Sequence, residues 1–344
     1  MRKSRAFVIT KPGKFIFKEL TIPSTGPEEI LIEVKSCGVC TTDRRIYKGQ
    51  IEVPFPLIGG HEISGKVIEI GSAVRDIEVG SKVAVDAINR CGHCYYCMRG
   101  MDNLCVNSKK GRKIDDIFLI AGGFSEHLIV KRKQVFPFPD DVDFTEAAMT
   151  EPLSCCINSV KMANISLGDT ILVIGAGTMG ILNAMVARLR GAKVVISDPN
   201  SERRKFANEL GFSTVDTNEV LEMTRSANNG LGVDAVFITA PVLAVANESL
   251  DYIRKRGTIV FYTSMHPSAK ISLDWNKIHY TEAIITGTEG RTIEDFREAI
   301  ALISNSLIDV KSLVTRTIGL EELPDELPLS PNGRDQRTVL TFSN

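Results

Sequence analysis

The chain has 344 residues, 43% of them hydrophobic and 24% charged, and its 41 Lys and Arg almost cancel its 42 Asp and Glu. A chain this long exceeds what one core usually serves, so two domains are expected. The charge balance gives no electrostatic reason to expect nucleic acid or a membrane surface as partner, and no apolar run reaches the roughly 18 residues of a spanning helix.

At the N-terminus a basic stretch runs into strand-like Phe7-Val8-Ile9 and Lys11-Pro12-Gly13 rather than the apolar core of a signal peptide, so a cytoplasmic protein is expected. Short alternating runs at 15–17, 29–34, 63–70 and 82–85, punctuated by Gly13, Gly26-Pro27, Gly71 and Gly80, predict a compact β barrel or sandwich. Between the second and third runs lie Cys37-Gly38-Val39-Cys40-Thr41-Thr42-Asp43 and Gly60-His61-Glu62. Thiolate, imidazole and carboxylate are the ligand types of a zinc site that leaves room for substrate. At this level Cys37 and Cys40 are both candidate ligands. A redox reading of the C-x-x-C pair lacks a thioredoxin-like context and leaves His61-Glu62 without a purpose.

Six of the eight cysteines lie between positions 37 and 105, and in a long chain such crowding favours metal over disulfides. Cys91, Cys94, Cys97 and Cys105 form a C-x2-C-x2-C-x7-C array able to close a tetrahedral shell, which predicts a structural zinc. His93, inside the array, is expected to be an exposed turn residue. The charge run 109–113 is expected to be a solvated loop. Strand pattern returns at 122–130, with His127 as a structural member. From 145 the pattern turns helical, and the domain boundary is placed there.

Beyond it strands and helices alternate. The apolar run 170–174 suits a parallel strand buried on both faces, and it ends at Gly175-Ala176-Gly177-Thr178-Met179-Gly180, which opens a helical pattern over 181–190. A further strand at 193–198 ends on Asp198; a helix at 202–210 and strands at 235–238, 258–261 and 283–286 follow. A G-x-G-x-x-G between strand and helix, with an acidic residue closing the next strand, is the dinucleotide fingerprint. Glycines admit the pyrophosphate to the helix N-terminus, and the carboxylate takes the ribose hydroxyls. Gly175, Gly177, Thr178, Met179, Gly180, Asp198 and Arg203 are the expected cofactor residues. Asp198 would repel a 2′-phosphate, so NAD is expected over NADP, and Arg203, with Arg204 beside it, works against that preference. The helix 293–304 and strands at 314–318 and 338–340 are too few for a third core and are expected to return to the first domain.

The motifs GVCTTD (38–43), GGHEISG (59–65), the cysteine array, GGFSEH (122–127), EPLS (151–154) and VIGAGTMG (173–180) together resemble the zinc-containing medium-chain dehydrogenase/reductase family over essentially the whole length. EPLS looks like the polyol branch, the sorbitol- and xylitol-type dehydrogenases. The resemblance implies an α/β protein: a GroES-like β-rich catalytic domain, 1–152 with 290–344, and a doubly wound Rossmann domain, 153–289.

It further implies Cys40, His61 and Glu151 as catalytic zinc ligands, with Glu62 either coordinating or standing just behind the metal. Cys37 then becomes a small buried residue at the strand end. Asp43 would fix the His61 tautomer, and Thr42 would take the substrate proton. Zinc would act as Lewis acid while hydride passes between a polyol, sugar or ketose substrate and nicotinamide. Many relatives carry a histidine where this chain has Arg45, which cannot shuttle a proton at neutral pH. Arg44 and Arg45 are then either solvent-facing helix charges or, with Lys48, a site for a carboxylate or phosphate. Pocket walls are expected at 110–124 and 287–292. A homodimer or homotetramer paired through 283–288 is expected, to cover that sheet edge. The alternatives are a threonine- or simple-alcohol-type dehydrogenase and a catalytically inactive protein that binds NAD and zinc.

Overall fold

The computed structural model describes residues 2–108 and 112–342. Two compact units form: Met1–Ser154 with Thr292–Asn344, and Cys155–Arg291.

In the first unit the strand Glu29–Gly38 is the organising element. It is buried along most of its length and pairs antiparallel with Glu62–Ile70, with His127–Lys131 and with Arg337–Thr341. Register is what makes a site here. Gly38 lies opposite Glu62 on one side and opposite Val339 on the other, so Cys40 and His61 leave the sheet at the same end. A one-residue slip would turn every side chain of the strand to the other face. A second sheet, with Lys3–Lys11 and Lys14–Thr21 at one side, closes over a shared core that includes Phe7, Ile32, Val34, Ile63 and Phe124.

The C-terminal strands Val314–Ile318 and Arg337–Thr341 pair in parallel, and the latter joins the sheet of Glu29–Gly38. Chain from the far end therefore lies directly beside the Cys40 loop. Of the charged run 109–113, residues 109–111 lie outside the described residues. The rest corrects the solvated-loop expectation: Arg112 begins the strand Arg112–Ile114, is half-buried, and pairs with Glu29 at 2.6 Å.

The second unit is a six-stranded parallel sheet. Its spatial order is Ser213–Val215, Lys193–Ser197, Thr170–Ile174, Val233–Ile238, Ile253–Phe261 and Ile284–Gly287. Numbered along the chain this is 3-2-1-4-5-6, the doubly wound order that places a dinucleotide crevice where the order reverses. Thr170–Ile174 sits at that reversal and is buried over Ile171–Ile174, as a strand covered on both faces must be. No helix among the described residues is long and apolar enough to cross a membrane.

Candidate metal and dinucleotide sites

Cys40 precedes a short helix, Thr41–Tyr47, whose Asp43, Arg44, Ile46 and Tyr47 face inward. Burying Ile46 contributes roughly 2 kcal/mol to holding the helix against the barrel. Asp43 does two things at once. Its Oδ2 accepts from the Cys40 backbone N–H at 3.1 Å, closing the first turn, and its Oδ1 accepts from the Gly60 N–H at 3.0 Å, fixing the loop that carries His61. His61 Nδ1 stands 3.7 Å from Asp43 Oδ2, an ion-pair distance.

Ligand atoms of Cys40, His61 and Glu62 lie within 4.8 Å of one another. Glu62 is fully buried, and neither of its carboxylate oxygens accepts a hydrogen bond, although Arg337 Nε approaches Oε2 to 3.3 Å. Its place exists because residue 38 is glycine: a Cβ there would fall 1.9 Å from Glu62 Oε2. Burial pushes the Glu62 carboxyl up against the pull of Arg337, and the nearby Glu151 adds to the rise. Burial works to lower His61, but Asp43 and Cys40 outweigh it and raise the imidazole well above its ordinary value. A cluster whose one fully buried carboxylate accepts no hydrogen bond fits a bound cation, and thiolate, imidazole and carboxylate together are a zinc donor set.

Glu151, in the first turn of Thr150–Met162, is buried and within electrostatic reach of Glu62, yet it lies outside the three-residue cluster. Thr42 is exposed on the first helical turn. Cys37 is fully buried, its Sγ directed at the Gly38 carbonyl, and a Cβ on Gly60 or Gly123 would meet it at 2.8 or 2.6 Å. An Asp43→Asn variant keeps the shape but offers one oxygen where two N–H groups need acceptors. It is expected to weaken metal retention at Cys40 and His61 by about 10–100-fold, read by chelator competition.

Both readings of Arg44 are corrected. It is buried, its Nη2 meets Glu326 Oε1 at 2.5 Å and its Nη1 donates to the Glu326 and Leu329 carbonyls, so it neither faces solvent nor waits for an anion. Arg45 is half-buried. Arg337 was invisible as a site residue in the sequence. Besides its ion pair with Glu62 it donates to the Val39 carbonyl at 3.2 Å, immediately before Cys40.

Cys91, Cys94, Cys97 and Cys105 form the second cluster within 4.8 Å, with the Cys91 and Cys105 sulfurs 3.5 Å apart and no disulfide between them. Asn107 holds the Cys91 thiol down at about 5, while burial pushes Cys97 up to about 12. Four sulfurs packed this closely suit a closed tetrahedral zinc shell. His93 is exposed and turns its Nδ1 to the Cys91 carbonyl at 3.0 Å. Asp102 ties the lobe inward by an ion pair with Arg90 at 2.8 Å and by accepting from the Ile293 N–H at 3.1 Å.

In the second unit, the turn after Thr170–Ile174 leads through Gly177, the N-cap, into the helix Thr178–Leu189. Gly175 has φ +109°, and a Cβ on Gly180 would lie 1.8 Å from the Gly175 carbonyl, so helix and strand approach more closely than any other residue permits. Beside Gly177 there is open space: a Cβ would meet nothing nearer than Arg203 Nη1 at 4.0 Å. Asp198 Oδ2 accepts from the Ala176 N–H and Oδ1 from the Asn200 N–H, both at 2.8 Å, which binds the acidic residue to the glycine turn. Arg203 Nη1 stands 3.8 Å from Asp198 Oδ2. Arg204 instead pairs with Asp216 at 2.8 Å. Thr178 and Met179 open the helix at the anion-binding end.

A model of the alcohol dehydrogenase GroES-like domain matches residues 26–140, and a zinc-binding dehydrogenase model matches 178–305. The chain is a zinc-containing medium-chain dehydrogenase/reductase. This dehydrogenase is 30% identical to a sorbitol dehydrogenase of Halalkalibacterium halodurans, over 96% of each chain. It is 31% identical to an L-threonine 3-dehydrogenase of Mesorhizobium japonicum, over 99% of each. Among solved structures it resembles a zinc-binding dehydrogenase of Sinorhizobium meliloti bound to NADP, with a TM-score of 0.91, 31% identity, and coverage of 99% of this chain and 100% of that one. The GroES-like and doubly wound parts of the dehydrogenase are thus members of known domain types, and the six-stranded order agrees.

Proposed function

We propose that the protein is a zinc-dependent oxidoreductase that moves a hydride between a secondary alcohol of a polyol or sugar derivative and NAD. The observation that carries this reading is the convergence of half-buried Cys40 and His61 on the buried Glu62, whose carboxylate oxygens accept no hydrogen bond. These three would hold the metal, with Glu151 as the further carboxylate beside Glu62; Cys91, Cys94, Cys97 and Cys105 would hold a second, structural ion. When bound, zinc supplies Lewis acidity and the nicotinamide a hydride acceptor.

The chain's own part is positional. Asp43 holds the Cys40 and His61 loops in register and orients the imidazole. The exposed Thr42 hydroxyl, one residue away, takes the proton that leaves the substrate hydroxyl and passes it outward. Arg45 cannot continue that relay, so the outward step ends in water. Thiolate ligation suits a reducing compartment, the cytoplasm. A second copy pairing along the edge strand Ile284–Gly287 would cover its unpaired backbone and give a dimer or tetramer.

For the cofactor, Asp198 favours NAD through its charge, and Arg203 beside it is the group a 2′-phosphate would use. Asp198→Asn, which removes the charge and keeps one acceptor, is expected to move the NAD-to-NADP ratio of kcat/KM toward NADP by about tenfold or more, since a charged hydrogen bond is worth roughly 1.5–3 kcal/mol.

A threonine-type dehydrogenase is the second reading, and the threonine 3-dehydrogenase relative favours it. One assay separates them: reduced-cofactor formation by zinc-loaded protein across neutral polyols, sugar acids, sugar phosphates, simple alcohols and threonine. Turnover of a polyol or sugar derivative is expected. Turnover of threonine alone would replace the first reading with the second, and no turnover in either direction would remove both.

A further inference from the structure

We propose that Glu326 is a positioning residue for the Cys40 metal site, gripping from the far end of the chain the two segments that flank it. The proposal rests on the zinc reading above. Glu326 closes the short helix Leu323–Glu326 and is 3% exposed. Its Oε1 accepts from Arg44 Nη2 at 2.5 Å and from Thr338 Oγ1 at 2.7 Å, its Oε2 from Arg316 Nη1 at 2.8 Å, and its backbone carbonyl from Arg44 Nη1.

The Arg44 and Thr338 arms end beside the site. Arg44 follows Asp43 on the helix that begins at Cys40, so the grip on its guanidinium sets where that first turn lies. Thr338 follows Arg337, whose Nε is 3.3 Å from Glu62 Oε2 and whose Nη1 reaches the Val39 carbonyl; Thr338 in turn accepts the Val39 N–H on its backbone oxygen at 2.9 Å. One carboxylate therefore orients the chain on both sides of Cys40 and the cation behind Glu62.

Nothing in turnover requires a charge at 326. A buried ion pair is no more stabilising than a well-packed apolar pair, whereas a guanidinium held at once by a carboxylate oxygen and a backbone carbonyl has its direction fixed in a way that apolar contacts leave loose. Geometry at the metal site, rather than stability, is what this arrangement supplies.

The test follows metal release from zinc-loaded protein into excess chelator, with Cys40→Ala and Cys97→Ser assigning the two release phases. Glu326→Gln is expected to release the Cys40-dependent metal about tenfold faster or more, with the Cys97-dependent phase unchanged. The paired Arg44→Leu/Glu326→Leu variant is expected to recover the wild-type Tm but not the wild-type release rate, and it carries the test alone where Glu326→Gln yields no soluble protein. Unchanged release of the Cys40-dependent metal would overturn the proposal. So would acceleration of both phases together in step with a lower Tm, which marks a merely structural role. Wild-type protein without any Cys40-dependent metal would instead sink the zinc reading, and the proposal with it.

Discussion

Cys40→Ala is expected to lower kcat/KM for every alcohol substrate by about 10³-fold or more, because loss of Lewis-acid stabilisation removes several kcal/mol from the transition state. Fold should survive it. Cys40 is partly exposed and caps a seven-residue helix, while the barrel core of Phe7, Ile32, Val34 and Ile63 does not depend on it. The variant should therefore hold one metal ion where the wild type holds two, with a Tm within a few degrees of wild type. Activity retained at wild-type level would show that the three-residue cluster is not where chemistry occurs. Because Asp43 still accepts from the backbone N–H groups of residue 40 and Gly60, the defect would be chemical and not a collapse of the loop.

For Cys97→Ser the expected result is the reverse. The lobe containing Cys91, Cys94, Cys97 and Cys105 has little apolar content turned inward: Tyr95, Met98, Leu104 and Val106 are exposed, and only short 3-10 turns, Cys97–Arg99 and Asp102–Leu104, give it regular structure. Metal ligation would thus supply most of its folding free energy. Losing that ligation should cost about 4 kcal/mol or more and lower Tm by about 10 °C. Catalysis should fall less than in Cys40→Ala at temperatures below the transition. Asp102 links the lobe to the rest of its unit, pairing with Arg90 and accepting from the N–H of Ile293 at the start of the helix Ile293–Ser304, so unfolding there should also fray that helix. Hydrogen exchange over 292–296 would detect it; protection equal to wild type would argue that the lobe is an independent appendage.

What was legible in the sequence was local. A thiolate array declares itself because its ligands fall within one short stretch, and a glycine turn declares itself because strand, turn, helix and acidic residue follow in order. The buried fate of Cys37 was given by the resemblance alone, and the structure supplies its reason: Gly60 and Gly123 leave room for its sulfur, where a Cβ on either would meet it at 2.8 or 2.6 Å. Contacts between distant segments were not legible. Arg44 and Glu326 are 282 positions apart, and in sequence Arg44 looks like its neighbour Arg45, a charge on a short helix. The C-terminal segment, through Glu326 and the Leu329 carbonyl, takes up the Arg44 guanidinium and makes the difference. Arg337 was missed for the same reason, its partners Glu62 and Val39 lying near the opposite end of the chain. The strand Ser213–Val215 was missed because three residues are too few to show a period, although it completes the edge of the parallel sheet. Glu151 shows a different limit. Resemblance places it among the ligands, while the described geometry gathers Cys40, His61 and Glu62 and leaves Glu151 acting on Glu62 through its charge.

The most direct measurement is a zinc titration of metal-free protein, following reduced-cofactor formation from a turned-over polyol. Activity should stay absent while the first equivalent fills the four-cysteine site, then rise linearly to a plateau at the second, and the same titration of Cys40→Ala should stay flat throughout. Full turnover by the metal-free protein, or a plateau reached equally by Cys40→Ala, would contradict a catalytic metal held at Cys40, His61 and Glu62.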